Sequence, residues 1–288
     1  MQVLIGRRKF VVSTIAAISS AAAHNLSQGH RQVHRRPLGV QLYTVRTEAA
    51  KDLPGVLSSI RQIGYEEVET YWDVYSRPAA ELKQIIQDHG LRVPSGHFDY
   101  DGLEGKIDYA KALGVDYMIC PMLPKAMWTS LDGFKKAADQ YNKWGEQVKR
   151  AGMRFGFHNH NYEFRRFGDT TGFEALISRT DANLVCMEMD CYWVVQAGQD
   201  PVEMFKRLGS RIKLLHLKDR KAGFPASQDL NEQAEHFAPV GAGTLDWKPI
   251  LRAAEENGVR HMFVEQDSGE PPPMETLRIS YQNLQRLL

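Results

Sequence analysis

The 288-residue chain is 43% hydrophobic and 25% charged, ordinary proportions for a soluble globular enzyme, and its length suits one α/β barrel or two smaller domains. With 36 basic against 35 acidic residues and a formal net charge of +1, the totals carry no sign of the broad positive surface that nucleic-acid or membrane binding needs. Cys120, Cys186 and Cys191 are too few for a disulfide framework and lack zinc-ligand spacing, so buried free thiols are expected.

The first thirty residues stand apart. Arg7 and Arg8 precede Phe10 and an apolar segment from Val11 to about Ala23 that ends in small residues. The segment is too short to span a bilayer and reads as an export signal of the twin-arginine type, with Gly6 where that pattern prefers Ser or Thr. A short membrane anchor or a disordered tail is the alternative. On the export reading, residues 1–30 are signal and leader, and the mature protein starts near His24. It then reaches the periplasm or exterior folded, without stable membrane insertion; without a working signal it stays cytoplasmic.

From Pro37 a unit recurs in which an amphipathic run ends in Gly and a short apolar, β-rich run follows. "RQIGYEEVE", "QDHGLRVPSGHF", "KALGVDYMICP", "KRAGMRFGFHNH" and "EENGVRHMFVEQD" all show it. Gly64, Gly90, Gly114, Gly152 and Gly258 fit the position just past a helix, and Gly209 marks the same hinge in "MFKRLGSRIKL". Adding strands in 38–45, 182–190 and 211–219 brings the count to eight. Helices are predicted over Asp52–Ile63, Pro78–His89, Leu103–Leu113, Ser130–Ala151, Gly172–Arg179, Pro201–Leu208 and Trp247–Asn257. Strict alternation implies a parallel sheet, and eight units favour a closed (β/α)8 TIM barrel, a single domain over 37–288. An open doubly wound sheet would want a Gly-rich phosphate loop after strand one, and "QLYTVRTEA" contains no glycine.

In such a barrel the carboxyl ends of the strands meet at one mouth. Strand one brings Gln41 there, strand two Glu69, strand three His97, and strand five His158 with His160. Strand six brings Glu188 and Asp190, strand seven His216 with Lys218, and strand eight Glu265. Taken singly these are bland: a core histidine, a helix cap at Asp190, a solvated turn at Lys218–Asp219. Together they put several ionisable groups into one low-dielectric mouth, which is costly unless something binds them. One divalent ion does so, and mixed imidazole and carboxylate ligands suit Mn, Co, Fe or Zn. The expected ligands are His158, Asp190, His216 and Glu265, with His160 and Glu163 in reserve.

The order "HNHNYEF", "MEMDCYWVV", "LLHLKD", "VGAGTLDWKPIL" and "FVEQD" resembles the sugar phosphate isomerase/epimerase group of xylose isomerase-like barrels. Inosose dehydratases, keto-hexose epimerases and endonuclease-IV-type enzymes belong to the same barrels. The likeness covers about residues 37–288. It implies one divalent metal at the mouth, with Asp190, His216 and Glu265 at the ligand positions of strands six, seven and eight. Strand five departs, because keto-sugar epimerases of the group carry Glu where His158 stands. A symmetrical proton exchange between two glutamates then lacks a partner, unless Glu163 supplies it.

The expected chemistry is metal-assisted removal of a proton next to a carbonyl, giving an enediolate. Glu163, His160, Lys218 or the ligand Glu265 is the expected general base. Gln41, Glu69, His97 and Trp193 are expected to hold sugar hydroxyls and a ring face, Trp193 having a core or surface role as its alternative. Isomerisation or epimerisation of an unphosphorylated sugar is the expected outcome. The alternative is loss of water or an aglycone from a keto-sugar, 3-keto-glycoside or inosose. The partner is a small carbohydrate or cyclitol, not nucleic acid, and a homo-oligomer stays open. Residues 220–243 form a long loop that is a lid or a disordered excursion. Two rival functions are a zinc phosphodiesterase acting on damaged DNA and a non-catalytic sugar-binding barrel.

Overall fold

The computed structural model describes residues 1–2, 36–230 and 236–288. The predicted signal and leader, apart from the first two residues, lie outside the described residues. Eight strands close a parallel barrel: β1 (Leu38–Gln41), β2 (Glu67–Thr70), β3 (Arg92–His97), β4 (Tyr117–Cys120), β5 (Arg154–His158), β6 (Val185–Asp190), β7 (Ile212–Leu217) and β8 (His261–Val264). Each strand pairs with its chain neighbours, and β8 pairs with β1. The eight-stranded expectation therefore holds. The three cysteines are buried and free, as expected. No helix among the described residues is long and apolar enough to cross a membrane.

The helices are α1 (Arg46–Ile63), α2 (Ala79–Asp88), α3 (Ile107–Leu113), α4 (Leu131–Arg150), α5 (Gly172–Arg179), α6 (Cys191–Gln196), α7 (Pro201–Leu208), α8 (Trp247–Glu256) and α9 (Pro273–Leu287). All six hinge glycines take positive φ. At Gly114 (φ 88°) the N–H reaches back to the Ala110 and Lys111 carbonyls and closes α3 in the left-handed region, where a side chain would be strained.

The first unit differs from expectation. β1 stops at Gln41, whose side chain accepts the Tyr43 N–H at 3.1 Å and starts a 3-10 turn over Leu42–Val45. Helix α1 then begins at Arg46 and breaks at Asp52 (φ −150°, ψ 80°), two residues before Pro54. Pro54 has no N–H and its ring displaces the carbonyl four residues back, so the helix restarts there. Asp52 caps the second half by accepting the Gly55 N–H at 3.0 Å. The predicted helix from Asp52 corresponds to that second half. Helices α6 and α9 had no Gly-plus-strand signal after them. α9 closes on the turn between α1 and β2, with Tyr281 edge-on to Tyr65 (5.0 Å between centroids) and the Tyr65 hydroxyl donating to the Leu277 carbonyl at 2.9 Å.

The 220–243 loop is anchored rather than solvated at its base. Asp219 is fully buried. Its carboxylate accepts N–H groups from Gly241 (2.8 Å), Gly243 (3.2 Å), Leu245 (3.1 Å) and Arg220 (2.7 Å), and the Trp247 indole (2.8 Å). This explains "VGAGTLDW": a Cβ at Gly243 would collide with the Asp219 carboxylate and the Arg220 carbonyl. The solvated-turn reading of Lys218–Asp219 is thus corrected, since both side chains are buried. Asp219→Ala strands these donors and is expected to cost about 3 kcal/mol or more. A urea midpoint unchanged from wild type would refute the anchoring role.

Candidate active site at the barrel mouth

Period-two alternation on strands β5 to β8 turns the predicted polar residues inward, and the barrel brings them together in two layers. The lower layer centres on Glu69 and Glu188, both fully buried. Glu188 Oε2 lies 2.7 Å from His97 Nε2, 3.2 Å from His158 Nδ1 and 3.3 Å from His216 Nε2. Glu69 Oε2 accepts from Gln41 Nε2 (2.8 Å) and faces His216 Nε2 (2.6 Å) and His97 Nε2 (3.2 Å). Its other oxygen accepts the Ser95 hydroxyl.

The upper layer centres on Asp190, Glu265 and Lys218. Lys218 Nζ reaches Glu265 at 2.7 Å, Asp267 at 2.9 Å and Asp190 at 3.2 Å. The same ammonium stands 5.5 Å from the Trp193 ring and 5.6 Å from Phe237, close enough for cation–π attraction. His216 joins the layers, with Nδ1 2.8 Å from Glu265 while Nε2 faces Glu69. Asp190 Oδ1 accepts the Trp193 N–H at 2.9 Å and starts α6, and Asn159 Oδ1 accepts the Asp190 N–H at 3.0 Å.

The protonation states follow from burial and neighbours. Burial lowers the His216 pKa, but without a metal the Glu188 and Glu265 carboxylates outweigh it and hold it well above its ordinary range; a bound dication would displace that proton. His158 goes the other way: burial, then the His216 and His160 rings, hold it well below, so it is neutral and able to bind a metal. Burial and Lys218 push His160 down to about 3. Burial opposes charge on Glu265, yet Lys218 and His216 keep that carboxylate ionised. Burial, then Glu69, raises Glu188 to about 7.

The four expected metal ligands come together, unevenly. Asp190, His216 and Glu265 offer atoms within 4.8 Å of one another. His158 Nε2 is 3.8 Å from Asp190 Oδ2, but His158 belongs to a second such group with His97, Glu188 and His216. Glu188 was visible in the sequence as the face-mate of Asp190 and carried no role there. Asp267, two residues past Glu265, went unread in the same way.

Other expectations are corrected by depth and direction. Gln41 and Glu69 do not line the mouth cavity; Gln41 holds Glu69, which orients His216 and His97 from below. Glu163 does not line it either. Its carboxylate, pushed up to about 8 by burial, accepts the His160 N–H at 2.9 Å and ties the turn after β5. His97, His158, His160, Trp193, Lys218 and Glu265 do line a cavity of about 530 Å³, rimmed by Tyr43, Trp72 and Phe237. That volume accepts a mono- or disaccharide-sized ligand.

The donor set fits a divalent ion. Four carboxylates, Glu69, Glu188, Asp190 and Glu265, are buried with the Lys218 ammonium and the His216 imidazole among them, and Glu188 Oε1 is buried with no partner. A dication would offset the remaining negative charge, and the nitrogen–oxygen mixture would suit Mn, Co, Fe or Zn.

A closed parallel barrel with imidazoles and carboxylates gathered at its carboxyl-terminal mouth is the arrangement of a TIM-barrel enzyme. Residues 57–287 match the family of xylose isomerase-like TIM barrels. The chain belongs to that family and is an enzyme of this superfamily. It is 27% identical over 250 residues to the inosose dehydratase of Lacticaseibacillus casei, covering 74% of this chain and 82% of that protein. Inosose dehydratases of Clostridium species match over about half their length. A solved sugar phosphate isomerase/epimerase from Parabacteroides distasonis superposes with TM-score 0.72 at 26% identity, covering 87% of this chain and 96% of that one. The zinc-bound IOLI protein shares the fold at TM-score 0.66 and 16% identity, covering 87% of this chain and 97% of that one.

Proposed function

We propose that this enzyme eliminates water or an aglycone from a free keto-cyclitol or keto-sugar, with one divalent ion held by Asp190, His216 and Glu265 and completed by His158. The bound ion would supply Lewis-acid polarisation of the substrate carbonyl, of a size worth several kcal/mol. The observation that carries the reading is the unequal pair of groups facing the cavity. His160 is neutral and its Nδ1 is buried without a partner, while Lys218 is a buried ammonium. Elimination needs one acceptor and one donor. The C–H proton goes to His160, its electron pair forms the new double bond, the β-carbon–oxygen bond breaks, and Lys218 protonates the departing oxygen. The negative charge that develops on the substrate raises the basicity of the adjacent imidazole.

Likeness to inosose dehydratases supports this outcome. A second reading, isomerisation or epimerisation, draws on the likeness to the isomerase/epimerase structure, but strand β5 brings His158 where two-glutamate exchange wants a carboxylate. Incubating the metal-loaded enzyme with inososes, 3-keto-glycosides and keto-hexoses and following them by NMR separates the two. Loss of a β-oxygen supports elimination, and configuration change with the oxygen retained refutes it.

Trp193 is 3% exposed and its indole N–H has no partner, which suits a substrate hydroxyl. Trp193→Phe keeps a ring and removes that donor. KM is expected to rise about tenfold, one hydrogen bond's worth, with kcat nearly unchanged. An unchanged KM would place the indole outside the substrate contacts. Export by residues 1–30 belongs to the same proposal, and Arg7→Lys with Arg8→Lys should leave the protein in the cytoplasm; continued export would sink it.

A further inference from the structure

A second cavity, of about 830 Å³, opens at the opposite end of the barrel, where β5, β6 and β7 begin. Five of its lining side chains are cationic (Lys149, Arg154, Arg207, Arg211 and Lys213) and none is a carboxylate. Two of the five are committed. Arg207 pairs with Glu174 at 2.7 Å, and Arg211 spends its guanidinium on the carbonyls of Ile177 (2.9 Å), Val185 (3.2 Å) and Thr180 (3.3 Å). Lys149, Arg154 and Lys213 make no ion pair with a carboxylate among the described residues.

Arg154 is the first residue of β5 and Lys213 the second of β7. They flank the start of β6, where the side chain between them is the small, neutral Cys186. The two cations feel each other: burial, then Arg154, holds the Lys213 ammonium below its ordinary range, with Arg260 adding to the effect. Three uncompensated cations converging on one concave site raise the local concentration of anions strongly. A forked guanidinium and ammonium groups around a cavity match phosphate oxygens in geometry and charge. The near-zero net charge of the chain conceals this, because the contributing residues lie on different strands and helices.

We infer that this basal cavity binds a phosphate-bearing anion, gripped by Arg154 and Lys213 with Lys149 at its rim. The site is separate from the mouth and does not rest on the elimination reading. A free di- or polyphosphate compound and an anionic lipid headgroup share this chemistry.

The test is calorimetric titration of the full-length, metal-loaded enzyme with pyrophosphate, alongside co-sedimentation with phosphatidylglycerol vesicles. Wild type should bind pyrophosphate or the vesicles, weakening as salt rises from ~50 to ~300 mM. Arg154→Gln with Lys213→Gln should lose at least tenfold in affinity while keeping wild-type turnover and metal content. Arg154→Lys with Lys213→Arg should retain binding. Lys149→Glu, on the exposed end of α4, gives the same readout should the double variant fail to fold. Binding of pyrophosphate assigns a soluble ligand, and vesicle binding alone assigns a headgroup. No binding of either by wild type, or equal binding by the charge-removed variants, would overturn the site.

Discussion

His216→Ala is expected to strip the divalent ion from the enzyme and lower turnover by at least ~10³-fold, about 4 kcal/mol of transition-state stabilisation. Among the described residues His216 bridges the layers most tightly, facing Glu265 through Nδ1 and Glu69 and Glu188 through Nε2, while His158 spans them more loosely. Removing His216 takes one cationic partner from each of Glu69, Glu188 and Glu265. Glu265→Gln, nearly isosteric, tests the charge without opening a cavity and should also lose metal. Elemental analysis of wild type and both variants, with kcat/KM for each, reads the result. Equal metal content in all three would remove the proposed centre.

The second large effect is expected at Lys218, whose ammonium is 1% exposed and in reach of Asp190, Glu265 and Asp267. Lys218→Met should reduce kcat by roughly 10²–10⁴-fold, the usual worth of a positioned general acid, while the metal is kept. It should also destabilise the metal-free protein by about 3–5 kcal/mol, because three carboxylates lose their cation. Metal should restore part of that stability, so the melting temperature of the variant should rise more on metal addition than that of wild type. Full turnover in Lys218→Met would reduce the lysine to a charge-balancing role.

Much of this site was legible in the sequence because a parallel barrel carries its own address. A polar residue at the end of an apolar run must lie at the mouth, so His97, His158, Asp190, His216 and Glu265 could be placed without coordinates. Depth was not legible. Gln41 and Glu69 sit at strand ends like the others, but β1 and β2 hold them a layer lower, where Glu69 reaches His216, Gln41 holds Glu69, and neither lines the cavity. Glu188 and Asp267 carried a usable signal, two residues from a ligand candidate and thus on the same face. Asp219 carried none, since most of its partners are N–H groups more than twenty residues on. The basal cations escaped notice for a related reason: Lys149, Arg154 and Lys213 converge only once three strands are side by side.

The central proposal is one divalent ion, gathered by the last strand ends of the barrel, that makes a C–H beside a carbonyl acidic. Its most direct test is the rate at which metal-loaded and chelator-treated enzyme move solvent deuterium into an inosose or 3-keto-glycoside, or its product, read by NMR. Uptake at the carbon next to the carbonyl that vanishes on chelation and returns with added metal is the predicted result. Uptake at an undiminished rate in metal-free enzyme, or in Glu265→Gln, would contradict it.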